Sequence, residues 1–183
     1  MLILIAGIAL WIGAHAFKRF APDRRAALGD KGKGLVALGI LVGLVLMIIG
    51  YRSAPFIGIW SPPEFFTHLN NLLMLLAVVL LAMSVSKGRM SGKMRHPMLT
   101  AVKTWALAHL LVNGDLASIV LFGAMLGWAV WTVIAINKAE TWEKPVITDT
   151  DRDWRFLLAS VGFFAVMTAG HLVLGVYPFG GEG

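Results

Sequence analysis

The sequence predicts an all-α, polytopic membrane protein with six transmembrane helices and with the N-terminus and C-terminus outside. Of its 183 residues, 58% are hydrophobic and only 14% are charged, which is too apolar for a soluble domain of this length. The apolar residues form blocks of roughly 17–22, a length that crosses about 30 Å of hydrocarbon as a helix. Because little polar sequence is left over, residues 1–183 are expected to form a single transmembrane domain.

Each predicted span ends where polar or turn-forming residues begin. The spans are residues 2–20, 35–51, 66–86, 98–112, 116–136 and 156–177. The first is expected to be an uncleaved helix, because its positive charges follow the apolar run. A polar loop with Pro22 and residues 29–34 separates the first two spans, and a segment rich in proline and aromatics places Trp60 at headgroup depth. Two glycine pairs have the GxxxG spacing that permits close helix packing, Gly39 with Gly43 and Gly123 with Gly127.

Helix start and stop signals support the last three spans. Pro97 suits a first helical turn, with His96 at the N-cap before span four. The run 113–115, Asn-Gly-Asp, is too short for anything but a tight reversal, in which Asp115 caps span five. The acidic cluster 149–153 is expected to be a solvated helix start, and Pro178 with the glycine-rich tail is expected to end span six.

Positive charge is distributed asymmetrically between the loops. The loops after spans one, three and five, together with the last three residues of span one, hold fourteen of the sixteen Lys and Arg residues, so the positive-inside rule makes these loops cytoplasmic. This topology explains the net charge of +6 without a nucleic-acid partner. The chain has no cysteine, which excludes disulfides, thiolate ligation of haem and Fe–S clusters.

Four of the five histidines lie within a predicted span or at its edge, where ionisable groups suggest function. Trp11 and Trp105 each precede a histidine by four residues, so each indole shares a helix face with His15 or His109. At about 1.5 Å per residue, His15 lies roughly 20 Å from the outer surface and His109 roughly 18 Å from the cytoplasmic one. Both positions are compatible with a haem between two histidines. From spacing alone, the more usual role of such histidines is as neutral imidazoles that form hydrogen bonds between helices.

Other polar residues allow weaker interpretations. Lys103 could extend its side chain to the cytoplasmic interface, or it could pair with a haem propionate or a lipid headgroup together with Arg95 and His96. His171 follows Met167 at i+4, which could be a ligand pair but is more typical of core packing. Zinc and copper are less favoured, because no histidine pair has i+3 or i+4 spacing and no carboxylate lies within a span.

Three segments give the chain a family resemblance: IGAHAFKRF around His15, RHP at residues 95–97, and WALAHLLVNGD at residues 105–115. With them the chain resembles the NnrU family of bacterial membrane proteins, which includes the plant zeta-carotene isomerase. The resemblance implies haem b, an inner-membrane location, and ligation by His15 and His109. It also implies a link to denitrification, through nitric oxide and nitrite metabolism. Ala106 stands where the isomerase has an alternative cysteine ligand, which weakens the case for isomerisation.

The function expected from these observations is a haem-binding membrane protein with a redox or sensing role. One alternative is a haem-dependent isomerase of a polyene lipid, and another is a non-enzymatic assembly factor. A transporter is less favoured because no span is broken in the middle, and so is a methyltransferase of the RHP type. The expected partners are the lipid bilayer and haem, with an apolar lipid, nitric oxide or a second copy of the chain as further candidates.

Overall fold

The computed structural model describes residues 1–147, 150 and 153–179, and these fold almost entirely into helix. They form seven α-helices: α1 Leu2–Phe20, α2 Pro22–Ala27, α3 Gly29–Arg52, α4 Phe66–Ser86, α5 Pro97–Val112, α6 Leu116–Ala139 and α7 Asp153–Val173. A short 3₁₀ turn, Arg89–Gly92, follows α4. The prediction of an all-α protein is therefore confirmed for the described part of the chain.

Five of these helices, α1, α3, α4, α6 and α7, are long and apolar enough to cross a membrane. The helix α5 is apolar but has only 16 residues, about 24 Å at 1.5 Å per residue. Large apolar side chains stay exposed along the long helices, for example Leu41 at 57% and Val161 at 68%. Such surfaces are expected where a helix faces lipid. The fold is that of a multi-pass membrane protein, while the sixth span and the orientation of the termini stay predictions.

The prediction of a loop at residues 29–34 was wrong, because these residues begin α3. Only Leu28 separates α2 from α3, and the turn is made at Gly29, whose φ of +51° favours glycine. Asp30 then lies in the first turn of α3 and forms an ion pair with Lys33 at 2.8 Å. An acidic residue near a helix N-terminus and an i,i+3 pair both favour helix, so polar composition alone did not mark a loop.

The last helix ends earlier than predicted. It ends at Val173, four residues before the predicted end, and Gly175 takes φ +73°. The Val176 N–H donates to the carbonyl of His171 at 2.9 Å, and the Gly175 N–H donates to the carbonyl of Leu172 at 3.0 Å. These two bonds form a Schellman motif. Gly175, and not Pro178, is therefore the residue that stops α7.

The helices group into two compact units. One unit contains Met1–Ser61 with Gly114–Ala124, and the other contains Pro62–Asn113 with Met125–Gly183. The helix α6 contributes residues to both of them. The single domain over residues 1–183 stays a prediction.

Glycines bring α1 and α3 together in the first unit. A Cβ at Gly43 would lie 2.8 Å from the Trp11 backbone nitrogen, and a Cβ at Gly7 would lie 2.6 Å from that of Met47. The pairing of low numbers in α1 with high numbers in α3 makes the two helices antiparallel. Close packing at Gly39 and Gly43 is thus confirmed. At the second predicted pair, Gly123 and Gly127, a Cβ would meet no atom of the described residues within 4 Å.

The Asn-Gly-Asp run joins α5 to α6 and holds the loop that follows α3. Asp115 caps α6, since its Oδ1 accepts from the Ser118 N–H at 3.0 Å, which confirms the predicted cap. The carbonyl of Gly114 accepts from the N–H groups of Ile59 and Trp60 at 2.8 and 3.1 Å. Tyr51 extends the network with a 2.8 Å hydrogen bond to the buried Ser118 hydroxyl.

In the second unit, α5 and α7 pack against α4. Leu80, Met83 and Ala101 form the buried cluster there, with Phe156 of α7 packed against it. Outside this cluster Arg89 forms an ion pair with Asp153 at 2.6 Å. The predicted helix start in the acidic cluster is confirmed at Asp153, the first residue of α7, whereas Asp149 and Asp151 lie outside the described residues.

Candidate functional site

Two histidines of the second unit share one cavity. His109 of α5 and His171 of α7 have ring centres 6.4 Å apart, with the ring planes inclined by 35°. The cavity beside them has a volume of about 70 Å³. Its other lining residues come from α4, α7 and the segment after α7: Asn70, Asn71, Met74, Val78, Phe164, Met167, Thr168, Pro178 and Phe179. The site is therefore an imidazole pair at the end of a largely apolar cavity.

A backbone carbonyl fixes the protonation pattern of each imidazole. His109 Nδ1 lies 2.9 Å from the carbonyl oxygen of Trp105, and His171 Nδ1 lies 2.8 Å from that of Met167. Because a carbonyl oxygen can only accept, Nδ1 carries the proton in both rings. The lone pair of each ring is then on Nε2, the nitrogen with which such a histidine binds a metal.

A buried amide lies in the same cavity. Asn70 is 8% exposed, and its Oδ1 accepts no hydrogen bond from the described residues. Its Nδ2 donates to Asn71 Oδ1 at 3.3 Å, and Asn71 Nδ2 donates to the carbonyl of Phe179 at 3.1 Å. A buried oxygen without a donor is costly, so the cavity offers a place for a donor or a cation next to the two imidazoles.

His15 repeats the local geometry in the first unit. Its Nδ1 lies 2.9 Å from the carbonyl oxygen of Trp11, and its ring centre lies 3.8 Å from that of the indole. Trp105 and His109 are related in the same way, with ring centres 5.3 Å apart. The predicted sharing of a helix face by each Trp–His pair is therefore confirmed. His15 and His109 belong to different units, so their pairing on one metal stays a prediction.

Comparison with protein families decides the wider identity of the chain. The model of the family described as "NnrU protein" matches residues 3–178. The chain belongs to the NnrU family. Comparison with curated proteins and with solved structures finds no match.

The RHP motif of this NnrU family member ties two helix ends together. Arg95 Nη2 donates to the carbonyl of Glu140 at 2.8 Å, and His96 Nε2 donates to Asn137 Oδ1 at 2.9 Å. Both acceptors lie at the C-terminal end of α6, where a cation is favourable. His96 occupies the predicted N-cap position of α5, but its side chain makes no capping hydrogen bond. Neither residue lines the cavity of His109, and Lys103 does not line it either.

His171 lines the cavity of this NnrU protein but was not among the predicted site residues. It lies two residues before the end of α7, as His109 lies three residues before the end of α5. Spans four and six run in the same direction in the predicted topology, so their C-terminal ends lie at one level of the membrane. The shared direction of spans four and six was the signal that the sequence offered. Spacings of i+3 and i+4 describe pairs within one helix and cannot reveal a pair formed by two helices.

The donor set of the NnrU site suits some metals better than others. The described residues contain no cluster of three or more His, Cys, Asp or Glu side chains that could hold a metal ion. A structural zinc site usually needs four protein ligands. A haem iron needs only one or two axial ligands, and neutral imidazole is a common one.

Proposed function

We propose that this NnrU protein is a haem b-binding integral membrane protein with a redox or sensing role. One observation carries the proposal: His109 lines a cavity with its Nδ1 proton donated to the Trp105 carbonyl, which makes Nε2 the metal-binding nitrogen. A hydrogen bond from the other ring nitrogen to a carbonyl oxygen orients the imidazole and raises its basicity. The family resemblance supplies His15 as the expected second ligand.

The residues of the site fit a haem in their chemistry. His109 supplies a neutral, oriented imidazole, and the lining side chains Val78 and Phe164 supply an apolar surface. His109, with His15 as the expected second ligand, would hold a bound haem, which would supply electron transfer. The cavity volume of about 70 Å³ is well below the roughly 150 Å³ that holds benzene in a protein interior. The cavity as it stands is therefore too small for a macrocycle, which would need a larger rearrangement of the lining residues.

We also propose a topology and a location for this multi-pass protein. We count α5, the predicted span four, as a membrane-spanning helix, which brings the number of spans to six. We assign the loops after α1, α4 and α6 to the cytoplasm and both termini to the outside, because fourteen of the sixteen Lys and Arg residues lie in those loops or within five residues of the helix ends that border them. The protein then belongs in the bacterial inner membrane. The family resemblance supports a role in nitric oxide and nitrite metabolism, as part of denitrification.

Absorption spectroscopy of the purified protein tests the proposal. Wild-type protein from haem-replete cells is expected to show a Soret band that shifts and sharpens on reduction. In His109→Ala the Soret band is expected to be lost or to move to the position typical of five-coordinate haem iron. The matched variant His68→Ala changes a histidine that does not line the cavity, and it is expected to keep the wild-type spectrum. A wild-type protein without a Soret band would refute the haem proposal. An unchanged band in His109→Ala would refute the ligand assignment.

A further inference from the structure

We propose that the turn between α1 and α3 binds the headgroups of anionic phospholipids. Its binding surface is a basic patch made of Lys18, Arg19, Arg24 and Lys31. The patch lies in the first unit, and its role needs only that α1 and α3 cross the membrane, so it does not depend on the proposed haem.

Positive charge is concentrated in this segment. Residues 18–33 hold six of the sixteen Lys and Arg residues of the chain and two acidic residues, Asp23 and Asp30. The six positive and two negative side chains leave a net charge of +4. A group of four to eight basic residues directly beside a transmembrane helix is typical of a segment that binds anionic lipid.

The fold uses two of the six basic side chains and leaves the four of the basic patch. Lys33 forms its ion pair with Asp30 at 2.8 Å, and Arg25 Nη1 donates to the carbonyl of Gly29 at 3.1 Å. The four side chains of the basic patch are exposed, and none of them forms an ion pair with a described residue. Their charge is therefore left for a partner outside the protein.

The loop after α4 uses its positive charge differently. Arg89 forms an ion pair with Asp153 at 2.6 Å, and Arg95 donates to the carbonyl of Glu140 at 2.8 Å. Two of the four basic residues of that loop thus hold the protein's own helices together. The positive-inside rule applies to both loops, but it does not explain why the charges of the basic patch stay unpaired.

The packing of α1 against α3 sets the height of the basic patch. Gly43 packs against Trp11, and because the two helices are antiparallel, this register places Lys18 level with Val36. Lys31 lies five residues beyond that level, about 8 Å at 1.5 Å per residue. The headgroup layer is about 5–7 Å thick on each side of the hydrocarbon. The basic patch therefore spans one headgroup layer.

Exposed apolar side chains accompany the charges. Phe20 is 74% exposed, Leu28 is 37% exposed and Leu35 is 56% exposed. The first two directly flank the short turn that contains α2. A basic segment with exposed apolar side chains lies at the boundary between headgroups and acyl chains. An anionic phospholipid contacts both kinds of side chain, whereas a free phosphate would contact the charges alone.

Arg25 and Gly32 fix α2 against α3. A Cβ at Gly32 would lie 2.6 Å from Arg25 Nη1 and 2.8 Å from the Leu28 Cβ, so the Arg25 side chain lies directly on the first turn of α3. Because α2 is held in this way, the backbone of the basic patch needs little ordering when a lipid binds. A preorganised surface loses less conformational entropy on binding.

The lipid selectivity of the whole chain in phosphatidylcholine vesicles tests the proposal. Electron paramagnetic resonance of spin-labelled lipids measures how much of each lipid is held at the protein surface. We expect the wild type to hold labelled phosphatidylglycerol several-fold more strongly than labelled phosphatidylcholine. The preference is expected to be lost in the fourfold variant Lys18→Gln, Arg19→Gln, Arg24→Gln, Lys31→Gln. It is also expected to fall for the wild type in about 1 M salt, where the Debye length is about 3 Å.

A matched control removes the same charge elsewhere. The fourfold variant Lys87→Gln, Lys93→Gln, Lys138→Gln, Lys144→Gln changes four exposed lysines outside the segment and is expected to keep most of the preference. The variant Lys18→Arg, Lys31→Arg keeps the charge and is expected to keep the preference as well. Midpoints of thermal unfolding verify that each variant is folded, and the salt series uses the wild type alone.

Three outcomes would overturn the proposal. The first is equal retention of the two lipids by the wild type. The second is an equal loss of preference in the two fourfold variants, which would mean that net charge acts without the patch. The third is loss of the preference when inorganic phosphate is added at constant ionic strength, which would identify a free anion as the ligand. None of these measurements depends on a Soret band, so the failure of either proposal leaves the other in place.

Discussion

A histidine that donates its Nδ1 proton to the carbonyl four residues earlier presents Nε2 away from its own helix. His15, His109 and His171 all have this geometry, whereas His96 uses Nε2 to reach Asn137. The difference separates three residues suited to metal binding from one that holds helix ends together. At this scale the sequence predicted the Trp–His faces correctly, because i,i+4 spacing fixes them. It could not predict that His171 meets His109, because that contact depends on how α5 and α7 pack against α4.

Asn70 allows a test at the residue scale. Asn70→Leu removes the buried acceptor that has no donor, and it also removes the long hydrogen bond to Asn71 Oδ1. These two effects are each about 1 kcal/mol and opposite in sign, so the stability of the metal-free protein is expected to stay nearly unchanged. Metal or haem occupancy is expected to fall, because the cavity loses a buried acceptor oxygen beside the two imidazoles. Thermal unfolding of the metal-free protein and haem content per chain measure the two effects.

The matched variant for this test is Asn70→Asp, which keeps an oxygen acceptor at the same position. It is expected to retain metal or haem while it destabilises the metal-free protein, since a buried carboxylate needs a partner. If Asn70→Leu bound as much metal or haem as the wild type, the amide would have no part in the site.

At the scale of the elements, glycines and capping residues determine where helices begin, end and pack closely, more than the length of the apolar runs does. The predicted bounds of the first and third spans match α1 and α4, because Pro22 and Lys87 follow these two apolar runs within two residues. The start of α3 and the end of α7 were mispredicted, since Asp30 and Lys33 continue the helix and Gly175 stops it before the apolar sequence ends. Of the two GxxxG pairs, only Gly39 and Gly43 face another helix closely. The spacing alone could not show which pair would find a partner.

The packing of α1 against α3 predicts an asymmetry between two glycine variants. In Gly43→Ala the new methyl group would lie 2.8 Å from the Trp11 nitrogen, so the helices must separate, at a cost of about 1–3 kcal/mol. Gly127→Ala adds a methyl group where no described atom lies within 4 Å, and it is expected to be neutral or stabilising by up to about 1 kcal/mol. Midpoints of thermal unfolding in one detergent compare the two variants; equal midpoints would contradict the packing described here.

Substitution in the RHP motif is expected to lower stability and to leave the haem spectrum unchanged. Arg95→Gln loses the hydrogen bond to the Glu140 carbonyl at the end of α6 and is expected to destabilise the protein by about 1 kcal/mol. The control Lys103→Gln removes a charge without removing this contact and is expected to leave stability nearly unchanged. Both variants are expected to keep the haem spectrum, because neither residue lines the cavity. Loss of haem from either one would instead support the binding of a propionate.

At the scale of the whole molecule, the apolar composition predicts a membrane protein and the distribution of charge predicts its topology. The match to the NnrU family agrees with a membrane protein. The five long helices confirm a multi-pass protein. The 16 residues of α5 fall short of the about 20 that usually cross a bilayer. Counting apolar blocks therefore gives six spans, whereas helix length supports five. The sequence could not predict that His109 and His171 line one cavity, because this depends on which helices pack together.

The absence of cysteine makes the topology directly testable. A cysteine introduced by Ser61→Cys, in the loop after α3, is expected to react in intact spheroplasts with a maleimide that does not cross membranes. The matched Lys93→Cys, in the loop after α4, is expected to react only after the membrane is permeabilised. Reaction at Lys93→Cys before permeabilisation would invert the proposed orientation.

The central claim is that an oriented imidazole of α5 binds a haem iron within the membrane. X-ray absorption at the iron edge of the purified wild-type protein tests it most directly. We expect about one iron per chain, surrounded by six nitrogen neighbours, four from the macrocycle and two from imidazoles, with the number falling to five in His109→Ala. Wild-type protein without iron, or with iron whose surroundings are unchanged in His109→Ala, would contradict the account.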